Sequence, residues 1–161
     1  MPVSLSPPSL LAIATGIAGS AWVSGAIAGA SLMAVPAALS APSTSATVWQ
    51  EIFNRGIALM PKLAATTAAS YLYGAFSAHQ DGRSWKGLAT SALLTVAIVP
   101  YTILFMSSTN NFLFKAASGT LGASQDEVSR LIGRWGVLNL GRSLLPLAGT
   151  VVGFSALIQS L

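Results

Sequence analysis

The amino-acid sequence predicts an all-α integral membrane protein: a single four-helix bundle over residues 1–161, with its last helix extended beyond the bilayer. Three observations carry this expectation. First, 53% of the 161 residues are hydrophobic and only 7% are charged, where soluble domains carry about a quarter; mean hydropathy is +0.68. Second, four stretches reach the length of about 20 apolar residues that crosses a hydrocarbon core about 30 Å thick. Third, polar segments marked by Gly, Pro and Ser separate them. So little polar surface excludes a disordered chain, a nucleic-acid-binding module and an ordinary cytosolic enzyme. In lipid an unpaired backbone group is too costly, so each span should be helical.

The first span runs from about Ser9 to Leu39. Residues 1–50 contain no Asp, Glu, Lys, Arg or His. No Lys or Arg precedes Leu10, and the apolar run outlasts a signal peptide, so it reads as a retained helix rather than a cleaved leader. Ser40–Thr47 (SAPSTSAT) reads as a loop. The second span, about 57–79, holds one charge, Lys62, and ends in a tight polar turn, His79–Lys86, signalled by Asp81-Gly82. The third, about 88–108, centres on Leu93–Met106, and Pro100 marks a kink. Asn110–Ser124 is the longest irregular connection and closes on Ser124-x-x-Glu127, a capping box. The fourth span covers about 129–161. A helix from Gln125 to Leu161 would be about 55 Å long at 1.5 Å per residue, so its first turns should leave the bilayer. Pro146 lies four residues after Arg142, where its ring crowds the Arg142 carbonyl and bends the helix.

Small residues line the spans, including the G-x-x-x-G pairs Gly25/Gly29 and Gly149/Gly153. Such faces let helix backbones approach closely. Packing within one bundle is the favoured use, and a homo-oligomer face the alternative. The net charge is +4, but no Lys/Arg run of the phosphate-tracking kind occurs, so the excess suits lipid headgroups rather than nucleic acid. Cysteine is absent and His79 is the one histidine, so no metal site is expected. Counting Arg55, Lys115, Arg130 and Arg134 against Arg83 and Lys86 places the larger loops in the cytosol.

Threading the spans up and down brings the end of the first, the start of the second, the end of the third and the start of the fourth to one membrane face. That layer collects Trp49, Glu51, Arg55, Lys62, Ser108, Asn110, Asn111, Trp135, Asn139 and Arg142. Trp135, Asn139 and Arg142 are spaced i, i+4, i+7, which is one helical stripe. Arg55, Lys62, Thr66 and Tyr73 align on the second span, and Tyr101 comes from the third. Each alone reads as a snorkelling or interfacial side chain. Together they read as a functional layer, because ionisable groups inside a membrane are costly. His79 sits beside the opposite, hydrophilic turn and reads as an exposed turn residue.

The pattern Trp135-x-x-x-Asn139-x-x-Arg142 entering the last span, with Ser24-Gly25-Ala26-Ile27 and Pro36 in the first, resembles the DUF1772 membrane protein family. Arg55-Gly56 opening the second span and Asn110-Asn111-Phe112-Leu113 closing the third fit the same pattern. The fungal branch of that family is the anthrone oxygenases. The resemblance implies oxidation of a small aromatic polyketide, an anthrone such as emodin anthrone or noranthrone, to an anthraquinone with O₂. It implies no metal or organic cofactor and a multi-pass protein of a fungal endomembrane.

For that chemistry the residues suggest roles. Deprotonating the central CH₂ of an anthrone gives an aromatic anthrolate that can pass an electron to O₂. Arg55 and Arg142 are candidates for stabilising the oxyanion, since fixed cations in a low-dielectric site act strongly on developing charge. Asn111 and Asn139 can donate to carbonyl or phenol oxygens, Trp135 offers a stacking surface, and Tyr101 is a further substrate contact. Lys62, stripped of water beside an arginine, is one candidate base and Glu51 its rival. Two other readings stay open at this level: a non-catalytic scaffold of a biosynthetic pathway, and a small oligomeric carrier.

Overall fold

The computed structural model describes residues 6–160. These form four long helices and, among the described residues, no strand: α1 (Pro7–Leu39), α2 (Ser45–Gln80), α3 (Lys86–Ala117) and α4 (Gln125–Ile158). Residue 161, the expected end of the fourth span, lies outside the described residues. Helices α1, α3 and α4 are long and apolar enough to cross a membrane. Helix α2 is a single 36-residue helix whose outer face carries Glu51, Arg55 and Lys62.

Local signals set the helix ends. Ser6 caps α1: its hydroxyl accepts from the Ser9 N–H at 3.4 Å, and Pro7 stands at the first helical position, where its missing N–H costs nothing. Gly82 and Gly119 have φ of +68° and +70°. Each closes a Schellman motif, with Arg83 N–H donating to the Ala78 carbonyl at 2.8 Å and Thr120 N–H to the Lys115 carbonyl at 3.1 Å. The Ser124 hydroxyl accepts from the Glu127 N–H at 3.2 Å, the cap expected for α4.

Two connections are shorter than the sequence suggested. Helix begins at Ser45 rather than after Arg55, because Trp49, Ile52 and Phe53 of its first turns pack into a core. At the other connection, Asn110–Ala117 are helical and only residues 118–124 are irregular. Burial of Leu113 and packing of Phe112 and Phe114 override the weak helix preference of the two asparagines.

Helices α1 and α3 each contain a π turn, at Ala30–Ala34 and Thr102–Met106. In α1 the Val35 N–H reaches back five residues to the Ala30 carbonyl, just before Pro36, which has no N–H to continue the ladder. In α3 the regular helix breaks at Ala97, resumes over Ile98–Tyr101 and widens from Thr102; Pro100, which cannot donate back along the helix, sits in the middle of this stretch. Helix α4 runs on through Pro146.

Contacts divide the chain into two compact units. One takes residues 6–24, Met60–Ile98 and 144–160; the other takes Gly25–Leu59 and Val99–Ser143. Each packs a segment of all four helices around its own core. In the first, Ile13, Tyr71, Leu88 and Ala92 form the centre. Tyr71 is fully buried and its hydroxyl donates to the Gly149 carbonyl at 3.3 Å and lies 2.8 Å from Ser20 Oγ. A Cβ on Gly153 would lie 2.6 Å from Tyr71 Cε1, and one on Gly149 3.0 Å from the Ser91 carbonyl. The Gly149/Gly153 pair therefore serves packing within the chain, whereas a Cβ on Gly25 would meet nothing within 4 Å. In the second unit the core comprises Val35, Trp49, Met106, Leu113, Val128, Leu131, Ile132 and Trp135.

Candidate active site

The second unit holds the polar cluster. On α4, Trp135 and Asn139 are buried and Arg142 is partly buried, as expected of residues spaced along one inward stripe. Asn139 is 0% exposed and uses its whole amide. Its Nδ2 donates to the Ile27 carbonyl at 2.9 Å and to Ser31 Oγ at 2.8 Å. Its Oδ1 accepts from Arg142 Nη2 at 2.6 Å. Arg142 Nη1 donates to Thr102 Oγ1 at 2.7 Å. Two hydrogen bonds thus hold the guanidinium in one plane, and its Nε, also buried, has no partner.

Both hydroxyls come from π turns: Ser31 lies in the turn of α1 and Thr102 opens that of α3. Ser31 continues the buried stripe of Ser20, Ser24 and Ile27 on α1 and meets Asn139 of α4, while Thr102 meets Arg142 of the same helix. Beside them, Tyr101 Oη lies 3.0 Å from where a Gly141 Cβ would stand, so glycine there admits the tyrosine next to Arg142. The Tyr101 ring packs on Phe105 at 4.8 Å.

Among the described residues the ion pairs are Arg55–Glu51 and Arg83–Asp81, and Arg142 joins neither. A partly buried guanidinium held by neutral oxygens alone is expensive, which makes Arg142 the candidate functional group in a membrane setting. Chemically it is a fixed cation whose Nε–H has no partner, suited to an anionic oxygen. No group of three or more His, Cys, Asp or Glu that could hold a metal occurs among the described residues.

An aromatic wall adjoins the same core. Trp49 contacts Phe53, Phe114 and Trp135 at ring-centroid distances of 5.5, 5.2 and 6.0 Å, the last two edge-on. Both indole N–H groups are buried without a partner, as are Thr109 Oγ1 and Asn110 Oδ1 on α3.

The other sequence candidates are exposed and take no part in the hydrogen bonds of this cluster. Arg55 is 80% exposed at its side chain and pairs with Glu51 at 2.6 Å on the same helix. Lys62 is exposed and belongs to the first unit, with Thr66 and Tyr73 exposed on the same stripe. That stripe is the outward face of α2. Asn111 is exposed while its neighbour Asn110 is buried. His79 is exposed in the first unit, its ring edge-on to Trp85 at 5.9 Å. Sequence reasoning gave no role to Ser31, Thr102 or Thr109. The helical spacing of Ser20, Ser24, Ile27 and Ser31 was the available signal for the first.

A family model described as anthrone oxygenase matches residues 49–152, a stretch that contains Trp49, Thr102, Asn110, Asn139 and Arg142. The chain is 37% identical over 136 residues to the anthrone oxygenase ptaC of Pestalotiopsis fici, covering 79% of this chain and 96% of that one. It is 36% identical over 138 residues to the monooxygenase hypC of Dothistroma septosporum, covering 82% and 75%. It is 34% identical over 150 residues to a noranthrone monooxygenase of Aspergillus flavus, covering 89% and 70%. No solved structure matches the chain.

Proposed function

The chain belongs to the anthrone oxygenase family, and from that premise we propose that it oxidises a polyketide anthrone to an anthraquinone with O₂ at the Arg142 cluster. The protein is a multi-pass integral membrane enzyme, residing in an endomembrane of a fungal cell, where a flat lipophilic substrate concentrates. The reaction removes both hydrogens of the central CH₂. One oxygen atom of O₂ becomes the new quinone carbonyl, and the other leaves as water with those hydrogens.

The observation that carries this reading is the Arg142 guanidinium, held by Asn139 and Thr102, with a free Nε and no carboxylate partner among the described residues. Loss of a CH₂ proton places negative charge on the anthrone oxygen. A preorganised cation near that oxygen stabilises the anthrolate and the transition state leading to it; one such donor contributes about 10²–10³ in rate. The anthrolate then passes one electron to O₂, the two radicals combine into a peroxide at the former CH₂, and loss of water gives the quinone. Asn139 positions the cation, and Trp135 and Tyr101 flank the aromatic substrate. The described hydrogen bonds of the cluster include neither carboxylate nor imidazole, so the proton leaves to a base outside it.

The test is O₂ uptake by the purified chain in detergent with a hydroxylated anthrone, measured above spontaneous autoxidation. One O₂ consumed per anthraquinone formed, with ¹⁸O from ¹⁸O₂ in the new carbonyl, is the expected result. A rate equal to the protein-free control would overturn the assignment.

A further inference from the structure

The oxyanion chemistry uses Arg142, Asn139 and Thr102 and leaves four other buried polar atoms of the second unit's described residues unexplained. Trp49, Trp135, Thr109 and Asn110 are exposed by 0, 3, 2 and 6%. Trp49 Nε1, Trp135 Nε1, Thr109 Oγ1 and Asn110 Oδ1 all lack a hydrogen-bond partner. Native proteins leave few such groups, and each carries a desolvation cost.

These four belong together. The two indoles touch, at 6.0 Å between centroids. On α3, Met106, Thr109, Asn110 and Leu113 are all buried, and their i, i+3, i+4, i+7 spacing makes one helical stripe. Met106 and Leu113, the apolar ends of that stripe, share a core with Trp49 and Trp135. The two polar residues between them therefore sit on the face of α3 that packs on the indole core. Their hydrogen-bonding characters are mixed: an indole N–H only donates, an amide oxygen only accepts, and a hydroxyl does both. Even so, none of the four atoms bonds another.

We propose that Trp49, Trp135, Thr109 and Asn110 form a second subsite, one that reads the phenolic hydroxyl of a hydroxylated aromatic ligand. A phenol has the complementary pattern: its oxygen accepts from an indole N–H, and its proton goes to Asn110 Oδ1 or Thr109 Oγ1. The aromatic wall of Phe53, Phe114 and the indoles suits the ring that bears it. The subsite selects hydroxylated over bare tricycles, because a bare ring leaves all four atoms unpaired, and unpaired buried polar groups are what give hydroxyl-reading sites their discrimination. It rests on the reading of the protein as an anthrone oxygenase for its substrate, and on the geometry alone for its preference.

The experiment measures binding and turnover separately. Quenching of tryptophan fluorescence reports binding of a dihydroxyanthraquinone and of unsubstituted anthraquinone to the full chain in detergent. O₂ uptake reports kcat/KM for the corresponding anthrones. The variants are Thr109→Val and Asn110→Leu, which remove the unpaired atoms at nearly constant volume, and Trp135→Phe, which keeps an aromatic ring and removes the indole N–H. The expected result is a preference for the hydroxylated ligand that falls about tenfold in Trp135→Phe and in at least one of Thr109→Val and Asn110→Leu, while the unfolding temperature of the latter two stays equal or rises. A binding preference with no turnover above autoxidation would support the subsite and overturn the oxygenase reading. Turnover with an unchanged hydroxylated-to-bare ratio in all three variants would overturn the subsite and leave the oxygenase reading standing.

Discussion

Replacing Asn139 by alanine separates the structural from the chemical role of the cluster. The side chain makes three hydrogen bonds, at 2.9 Å to the Ile27 carbonyl, 2.8 Å to Ser31 Oγ and 2.6 Å to Arg142 Nη2. By aqueous measures two neutral bonds and one charge-assisted bond are worth about 4 kcal/mol net. Interhelical hydrogen bonds in membranes are weaker, averaging about 0.6 kcal/mol each, because the unfolded helices also find partners in lipid. Ser31 Oγ also lies 3.5 Å from the Ile27 carbonyl, so those two groups keep each other when the amide goes. The membrane value therefore governs, and the expected loss is about 2 kcal/mol, roughly 4–8 °C in unfolding temperature for a chain of this size. Arg142, by contrast, loses one of its two anchors, and a misplacement of about 1 Å at a reacting centre costs about 100-fold in rate. Thermal unfolding in detergent and O₂ uptake normalised to folded protein measure the two effects. A kcat loss that merely follows the unfolded fraction, with the folded enzyme at full rate, would refute the positioning of Arg142 by Asn139.

Three further outcomes follow from the geometry. Arg55→Ala and Lys62→Ala should change kcat/KM by less than about threefold, since both side chains lie on the exposed face of α2; breaking the exposed Arg55–Glu51 pair changes stability by less than about 1 kcal/mol. Gly153→Val should lower stability by about 1–3 kcal/mol through overpacking, because its Cβ would meet Tyr71 at 2.6 Å, with the specific activity of the folded fraction unchanged. Ser124→Ala should cost about 1 kcal/mol by removing the α4 cap, visible in thermal unfolding and absent from kcat.

The helices were largely legible in the sequence because length and apolarity alone select them, and the α4 stripe of Trp135, Asn139 and Arg142 followed from helical spacing. What spacing cannot supply is which face of a helix is turned inward. Arg55, Lys62, Thr66 and Tyr73 do align, but on the outward face of α2, because Trp49, Ile52 and Phe53 claim the core side. The same limit separates Asn110 from Asn111: adjacent residues differ by about 100° around the axis, and only the packing partner decides which one is buried. Ser31 and Thr102 were harder still. They are small hydroxyl side chains within apolar runs, and spacing alone does not say that α4 brings an amide to one and a guanidinium to the other. Helix ends moved for a tertiary reason as well, with Trp49 at the start of α2 and Leu113 near the end of α3 recruited into one core.

The proposed stabilisation of the anthrolate by Arg142 is testable without the oxygen step. Under strict exclusion of O₂, visible absorbance reports the fraction of enzyme-bound anthrone that is ionised, as a function of pH, for the natural chain and for Arg142→Gln, which keeps two hydrogen-bonding groups and discards the charge. The account predicts that at a given pH below half-ionisation the ratio of anthrolate to neutral anthrone is about 100-fold larger with arginine, the magnitude of one oxyanion donor. Equal ionisation curves for the two proteins, both folded and both saturated with ligand, would contradict it.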